Sequence, residues 1–114
     1  MNCRITYTPD FARALKRLGK RYRSLKQDYA RLLEDLHANP CLGVEIGHNL
    51  RKVRMAISSK GKGKSGGARV ITYMVILAQT EAELKLIAIY DKSERVNIAD
   101  AELVDILRRN GIEL

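Results

Sequence analysis

The chain has no tryptophan, one phenylalanine, two prolines and two cysteines, and from Ile46 to Thr80 it has no acidic side chain. With so few aromatics, any core must be built from Leu, Ile and Val. Cys3 and Cys41 show no CxxC spacing and no adjacent histidine pair. That pattern argues against a zinc site or a disulfide framework and for two reduced, partly buried thiols. The longest apolar run, Tyr73 to Ala78, is far shorter than the roughly 20 residues needed to cross a bilayer. The start, MNCRITYTPD, lacks the apolar stretch of a signal peptide, so a cytoplasmic location is expected.

Positive charge is what the chain has in excess. Lys and Arg outnumber Asp and Glu by 21 to 13, giving a net charge of +8 and a pI near 9.8. Such a surface suits a polyanionic partner, either nucleic acid or an acidic protein. Seven of the basic residues lie in the acid-free window from 46 to 80, which is therefore where an anion is expected to sit. At 114 residues and 46% hydrophobic content, the chain fits one domain, residues 1–114, with one modest core.

The periodicities predict a strand, two helices, three strands and a helix. Cys3 to Tyr7 reads as a short strand. Thr8-Pro9 reads as an N-cap with Pro at the first helical position, ahead of Phe11, Leu15 and Leu18 at helical spacing. Ser24 and Gln27 form a capping-box pattern before a stripe of Leu25, Tyr29, Leu32, Leu33 and Leu36, which stops at Asn39-Pro40. After a loop around Gly43 and Gly47, Lys52 to Ile57 alternates, with Val53, Met55 and Ile57 on one face and Lys52 and Arg54 on the other. Ala68 to Leu77 and Leu84 to Asp91 are apolar on both faces, as central strands are, with Gln79 to Glu83 joining them as a hairpin. Asp100 is placed to cap a last helix carrying Leu103, Ile106 and Leu107, with Arg108 and Arg109 in its final turn. The fold class expected is α+β: a mainly antiparallel four-stranded sheet on two N-terminal helices, edged by a short C-terminal helix.

Between the strands lies SKGKGKSGGARV, which contains the Gly63-Lys64-Ser65 ending of a nucleotide-binding P-loop. A Walker loop needs a glycine at Ser58 and a helix afterwards, whereas a β-branched strand follows. The P-loop reading therefore fails on both counts. What remains is a loop carrying Lys60, Lys62 and Lys64, flanked by Lys52, Arg54 and Arg69 on neighbouring strands. It can fold over a phosphate chain, its glycines permitting close backbone approach.

The segments RKVRMAI, GGARVITY and LKLIAIYDKSE, followed by a short helix, resemble the RelE/ParE superfamily of bacterial toxins, and the GKGKSGG loop resembles its HigB- and RelE-like branch. The resemblance covers nearly the whole chain in element order. It implies the toxin of a type II toxin–antitoxin system: a metal-independent messenger-RNA endonuclease (mRNA interferase) working on the ribosome, without cofactor, inhibiting translation and neutralised by a cognate antitoxin. By position, Lys52 and Arg54 resemble the family's basic pair on the second strand. Arg69 resembles the arginine opening the third, and Lys92 the basic residue ending the fourth. Tyr90 is the nearest match to a tyrosine that RelE places beyond that strand, where this chain has Val96-Asn97. A ParE-like inhibitor of DNA gyrase and a non-catalytic RNA-binding or decayed toxin are the alternatives.

Metal-free RNA cleavage uses the 2′-hydroxyl as nucleophile and needs a base, an acid and cations around the phosphorane. Lys52, crowded by Arg51, Arg54 and Arg69, is the expected base, because neighbouring cations disfavour its charged form. Arg54 and Arg69 would hold the phosphate bidentately. Lys92 and Tyr90 complete the catalytic set, while Arg51, Lys60, Lys62 and Lys64 are expected to bind RNA. Tyr90 and Tyr73 are as readily packing residues, and His48 and His37 rank below Lys52 as proton carriers. The basic run Arg13, Lys16, Arg17, Lys20, Arg21, Arg23 and Lys26 reads as a solvated helix face or as a docking surface for ribosomal RNA or an acidic antitoxin.

Overall fold

Thr8 starts the first helix as its side chain favours: in extended backbone, its Oγ1 accepts a hydrogen bond from Phe11 N at 3.0 Å, with Pro9 opening the helix. The computed structural model describes residues 2–112. Its regular elements are β1 (Asn2–Tyr7), α1 (Pro9–Arg21), α2 (Leu25–Ala38), β2 (Val44–Gly47), β3 (Leu50–Met55), β4 (Ala68–Ala78), β5 (Glu81–Asp91) and α3 (Asp100–Arg109), with two short 3₁₀ turns, Ser58–Lys60 and Lys64–Gly66, between β3 and β4.

The α+β class holds, but the sheet has five strands in the order β1-β5-β4-β3-β2, not four. It is mixed, because β1 runs parallel to β5 while the other neighbours are antiparallel. The additional strand is β2, in the region read as a loop around Gly43 and Gly47. It pairs with β3 through a two-residue turn in which His48 (φ 55°) and Asn49 (φ 63°) are both left-handed. That turn geometry is usually announced by Asn-Gly or Asp-Gly, so His-Asn concealed the hairpin. Gly43 is obligatory for it: at φ 97°, an added Cβ would lie 2.5 Å from Lys52 O.

β5 and the first half of β4 are covered on both faces, as their apolar runs require, but the far end of β4 is not, and Ile76 and Leu77 are exposed there. Beneath α1 and α2, Phe11, Leu18, Leu25, Leu32 and Leu36 pack against Val53, Met55, Ala68, Val70, Leu84 and Leu86. On the opposite face, α3 buries Leu103, Ile106 and Leu107 against Leu50, Ile71, Ile87 and Ala88. The last helix thus packs on part of the second face instead of lying at the sheet edge. Burying each such Leu, Ile or Phe side chain is worth about 1.5–3 kcal/mol. A register shift near Ile71–Thr72 leaves Ile87 out of the β4–β5 pairing, and its carbonyl accepts the Thr8 hydroxyl at 2.9 Å.

Two expected caps differ. Ser24 makes no capping bond; its hydroxyl donates to Asp28 (2.7 Å) and accepts from Ser59 N (2.9 Å). Asp100 lies inside α3, one residue past the cap position Ala99, where its charge still complements the helix dipole. The β4–β5 link is also tighter than expected, with Ala78 paired to Glu81. Among the described residues, no helix is long and apolar enough to cross a membrane. Both cysteines are free, Cys3 half-buried and Cys41 exposed.

Candidate nucleic-acid interface

Strand alternation puts Lys52 and Arg54 on the face away from α1 and α2, while Val53 and Met55 enter the core beneath those helices. Register extends this row across the sheet, because Arg54 lies opposite Arg69, and Arg69 lies opposite Tyr90. Directly opposed residues have Cβ atoms about 4.5–5.5 Å apart. Two guanidinium stems and a phenol therefore form one continuous line over β3, β4 and β5. Lys52 sits one step along the same face and donates to Asn97 Oδ1 at 2.9 Å. Arg51, by contrast, is on the other face of β3, opposite Glu45 of β2. It cannot crowd Lys52 from the same side, and the cationic neighbours expected for Lys52 reduce to Arg54 and Arg69.

Arg69 is only 6% exposed. Its Nη1 donates to Lys64 O (3.1 Å) and Ala68 O (3.2 Å), and its Nη2 donates to Ser65 O (3.1 Å). A guanidinium has five N–H donors, so two remain. Tyr90 is 4% exposed, packed with Ile98, Leu103 and Ile106, and has the Arg95 guanidinium 5.5 Å from its ring centre. Its hydroxyl has no hydrogen-bond partner among the described residues. Burial pushes the phenol pKa up against the opposing pull of Arg69 and Arg95, so Tyr90 carries its proton at neutral pH. Tyr73 packs against the same cluster. Lys92 is exposed just beyond β5, its backbone N–H bonded to Gly67 O at 3.1 Å.

The lysine loop between β3 and β4 is held in place. Lys60 Nζ, which the sequence offers as an RNA contact, lies against Asp91 Oδ1 (2.5 Å), Gly66 O (3.1 Å) and Ser93 Oγ (3.2 Å). The side chain of Asp91 is wholly buried. Burial alone would raise its pKa, but hydrogen bonds from Lys60, Tyr22 and Ser93 outweigh it and hold the carboxyl well below the usual carboxylate range. Asp28, buried on α2, accepts from Ser58 N (3.0 Å) and Ser58 Oγ (2.5 Å). Lys62 and Lys64 remain exposed. With Arg54 and Lys92, they take part in none of the ion pairs among the described residues. A cleft of about 170 Å³ at the open end of β3 is lined by Arg54, Lys64 and Arg31 together with Asp28 and Asp35.

The basic run on α1 is partly neutralised: Arg13 pairs with Asp10, and both Arg17 and Arg21 pair with Glu94. His48 belongs to the β2–β3 turn and lines a cleft of about 150 Å³ against α3, away from the arginine row. His37 is exposed near the end of α2. The residues that sequence reasoning missed are Asp28, Asp91 and Asn97, which hold the cations and the loop, and Arg95, a cation set over the phenol ring. No protein-family model matches the chain.

Proposed function

We propose that the chain is the toxin of a type II toxin–antitoxin pair, a RelE-like endoribonuclease of the HigB/RelE branch that cuts messenger RNA on the ribosome and so inhibits translation. The observation that carries this reading is the row Arg54–Arg69–Tyr90 across three strands, with Lys52 beside it and the anchored lysine loop at its end. The resemblance of the sequence to the RelE/ParE superfamily in its RKVRMAI, GGARVITY and LKLIAIYDKSE segments supports the same reading.

In the proposed reaction the 2′-oxygen of one nucleotide attacks the adjacent phosphorus as the bond from phosphorus to the leaving 5′-oxygen breaks. The products are a 2′,3′-cyclic phosphate and a 5′-hydroxyl end. Lys52, when neutral, accepts the 2′-hydroxyl proton. Arg54 and the two uncommitted N–H groups of Arg69 stabilise the phosphorane, as preorganised donors do. The leaving 5′-oxygen takes its proton from Tyr90, which is protonated and has no partner among the described residues, and the proton accepted by Lys52 then restores the phenol. Lys92, Lys62 and Lys64 neutralise flanking phosphates, which gives an affinity that falls steeply with salt. No metal or cofactor enters the reaction as proposed, and a cognate antitoxin covers this face.

A second reading has one observation in its favour. Arg69 and Tyr90 are almost wholly buried, which restricts a substrate's access to them, and a ParE-like gyrase inhibitor, acting by binding alone, needs no such access. Primer extension on a translated reporter and an untranslated control separates the two. Under the proposed reading, new 5′ ends appear only in the translated message and vanish in a folded Lys52→Ala/Arg69→Ala variant. Growth arrest without new ends, together with stoichiometric inhibition of supercoiling, would contradict it.

A further inference from the structure

A loop with three lysines and four glycines within Ser58–Gly67 should be mobile, because glycine adds conformational freedom and like charges repel. Here it is tied down from both sides of the sheet end. Asp91 reaches it through Lys60, and Lys60 also accepts no freedom at the far end, since its Nζ donates to Gly66 O. Asp28 holds Ser58, and Ser24 holds Ser59. Arg69 takes the carbonyls of Lys64 and Ser65. Where these ties leave side chains free, they leave cations: Lys62 and Lys64 are exposed, and Lys92 follows Asp91 directly.

We infer that Asp91 is a positioning residue for a phosphate-binding lysine loop: by holding Lys60 beneath the loop, it presents Lys62 and Lys64 to a chain of phosphates. This deepens the RNase reading and rests on it for RNA as the natural ligand. Ordering the loop beforehand removes part of the entropic cost of binding. The competing explanation is that Lys60 merely neutralises a buried carboxylate, with no bearing on ligand affinity.

The two explanations differ in sign. Asp91→Asn changes the net charge from +8 to +9, one negative charge fewer on the +8 chain. Long-range attraction alone therefore makes the variant bind a polyanion more tightly. Loss of positioning makes it bind more weakly, by about tenfold if one charge-assisted contact is lost. The probe is a short linear polyphosphate, titrated calorimetrically at two salt concentrations, with hydrogen exchange of the amides of residues 61–66 followed in parallel.

The expected result is weaker binding and faster loop exchange in Asp91→Asn, with the charge-balanced Lys60→Gln/Asp91→Asn variant equally weak. Should Asp91→Asn not fold, Tyr22→Phe removes one donor to Asp91 at constant charge and is expected to weaken binding by a smaller factor. Equal or tighter binding in the folded variants overturns the inference, and so does a wild type that fails to bind polyphosphate. Polyphosphate discrimination without any RNA cleavage by the wild type would keep the inference and remove the RNase reading.

Discussion

On β3 and β4, alternate residues of the same strands meet opposite environments. Val53, Met55, Ala68 and Val70 enter the dry core beneath α1 and α2, whereas Lys52, Arg54 and Arg69 face the other way. There, α3 covers only the half that carries Leu50, Ile71, Ile87 and Ala88. The contrast teaches a division of labour: apolar burial on the first face sets stability, and the end of the second face that α3 does not reach gathers charge, Arg54 exposed and Arg69 under the lysine loop. Substitutions should therefore separate into those that unfold the protein and those that silence it.

The largest effect is expected from Phe11→Ala, which empties a fully buried position on the helix face and should cost about 3–5 kcal/mol in urea denaturation. A loss below about 1 kcal/mol would show that this face does not dominate stability. Arg69→Ala crosses the division, because Arg69 both clamps three carbonyls and belongs to the cationic row. It should lose about 1–3 kcal/mol of stability and, if RNA is the substrate, about 10²–10³ in cleavage rate. Full activity in this variant would remove Arg69 from the site.

Acid should weaken the loop clamp before it weakens the core. The folded pKa of Asp91 is depressed, so its contribution is present above the ordinary carboxylate value of about 3.9 and is lost as pH falls below it. Wild type should lose stability from about pH 4 downward, and Asp91→Asn, less stable at neutral pH, should show a flatter profile there. Parallel profiles would contradict the assignment. The smallest effect on stability is expected from Tyr90→Phe. Its buried hydroxyl has no partner among the described residues, so removing it should leave the urea midpoint unchanged or slightly raised, while cleavage falls if the hydroxyl serves the substrate. A marked drop in stability would reveal a bond to the phenol in solution.

Much of this division could be read from the sequence. Period-two alternation in KVRMAI placed Lys52 and Arg54 opposite Val53 and Met55, and Thr8-Pro9 marked the start of α1. The hairpin of β2 was hidden because its turn uses His48-Asn49 in left-handed backbone, a pair that carries no strong turn signal. The fate of Lys60 was hidden for a different reason. The window from 46 to 80 lacks acids in sequence, but Asp28 and Asp91 arrive from α2 and the end of β5. Charge segregation along the chain is not segregation in space. Arg69 likewise looked free at the head of a strand, and only tertiary structure supplies the loop carbonyls that occupy it.

Arg54 offers the most direct test, since it is exposed, lies in register with Arg69 and contributes nothing to the helix-face core. Thermal unfolding and cleavage of a translated message should be measured on the same preparation of Arg54→Ala. The account expects stability within about 0.5 kcal/mol of wild type and cleavage reduced by about 10²-fold or more. Unchanged cleavage by a folded Arg54→Ala would contradict the claim that this cationic row acts on RNA.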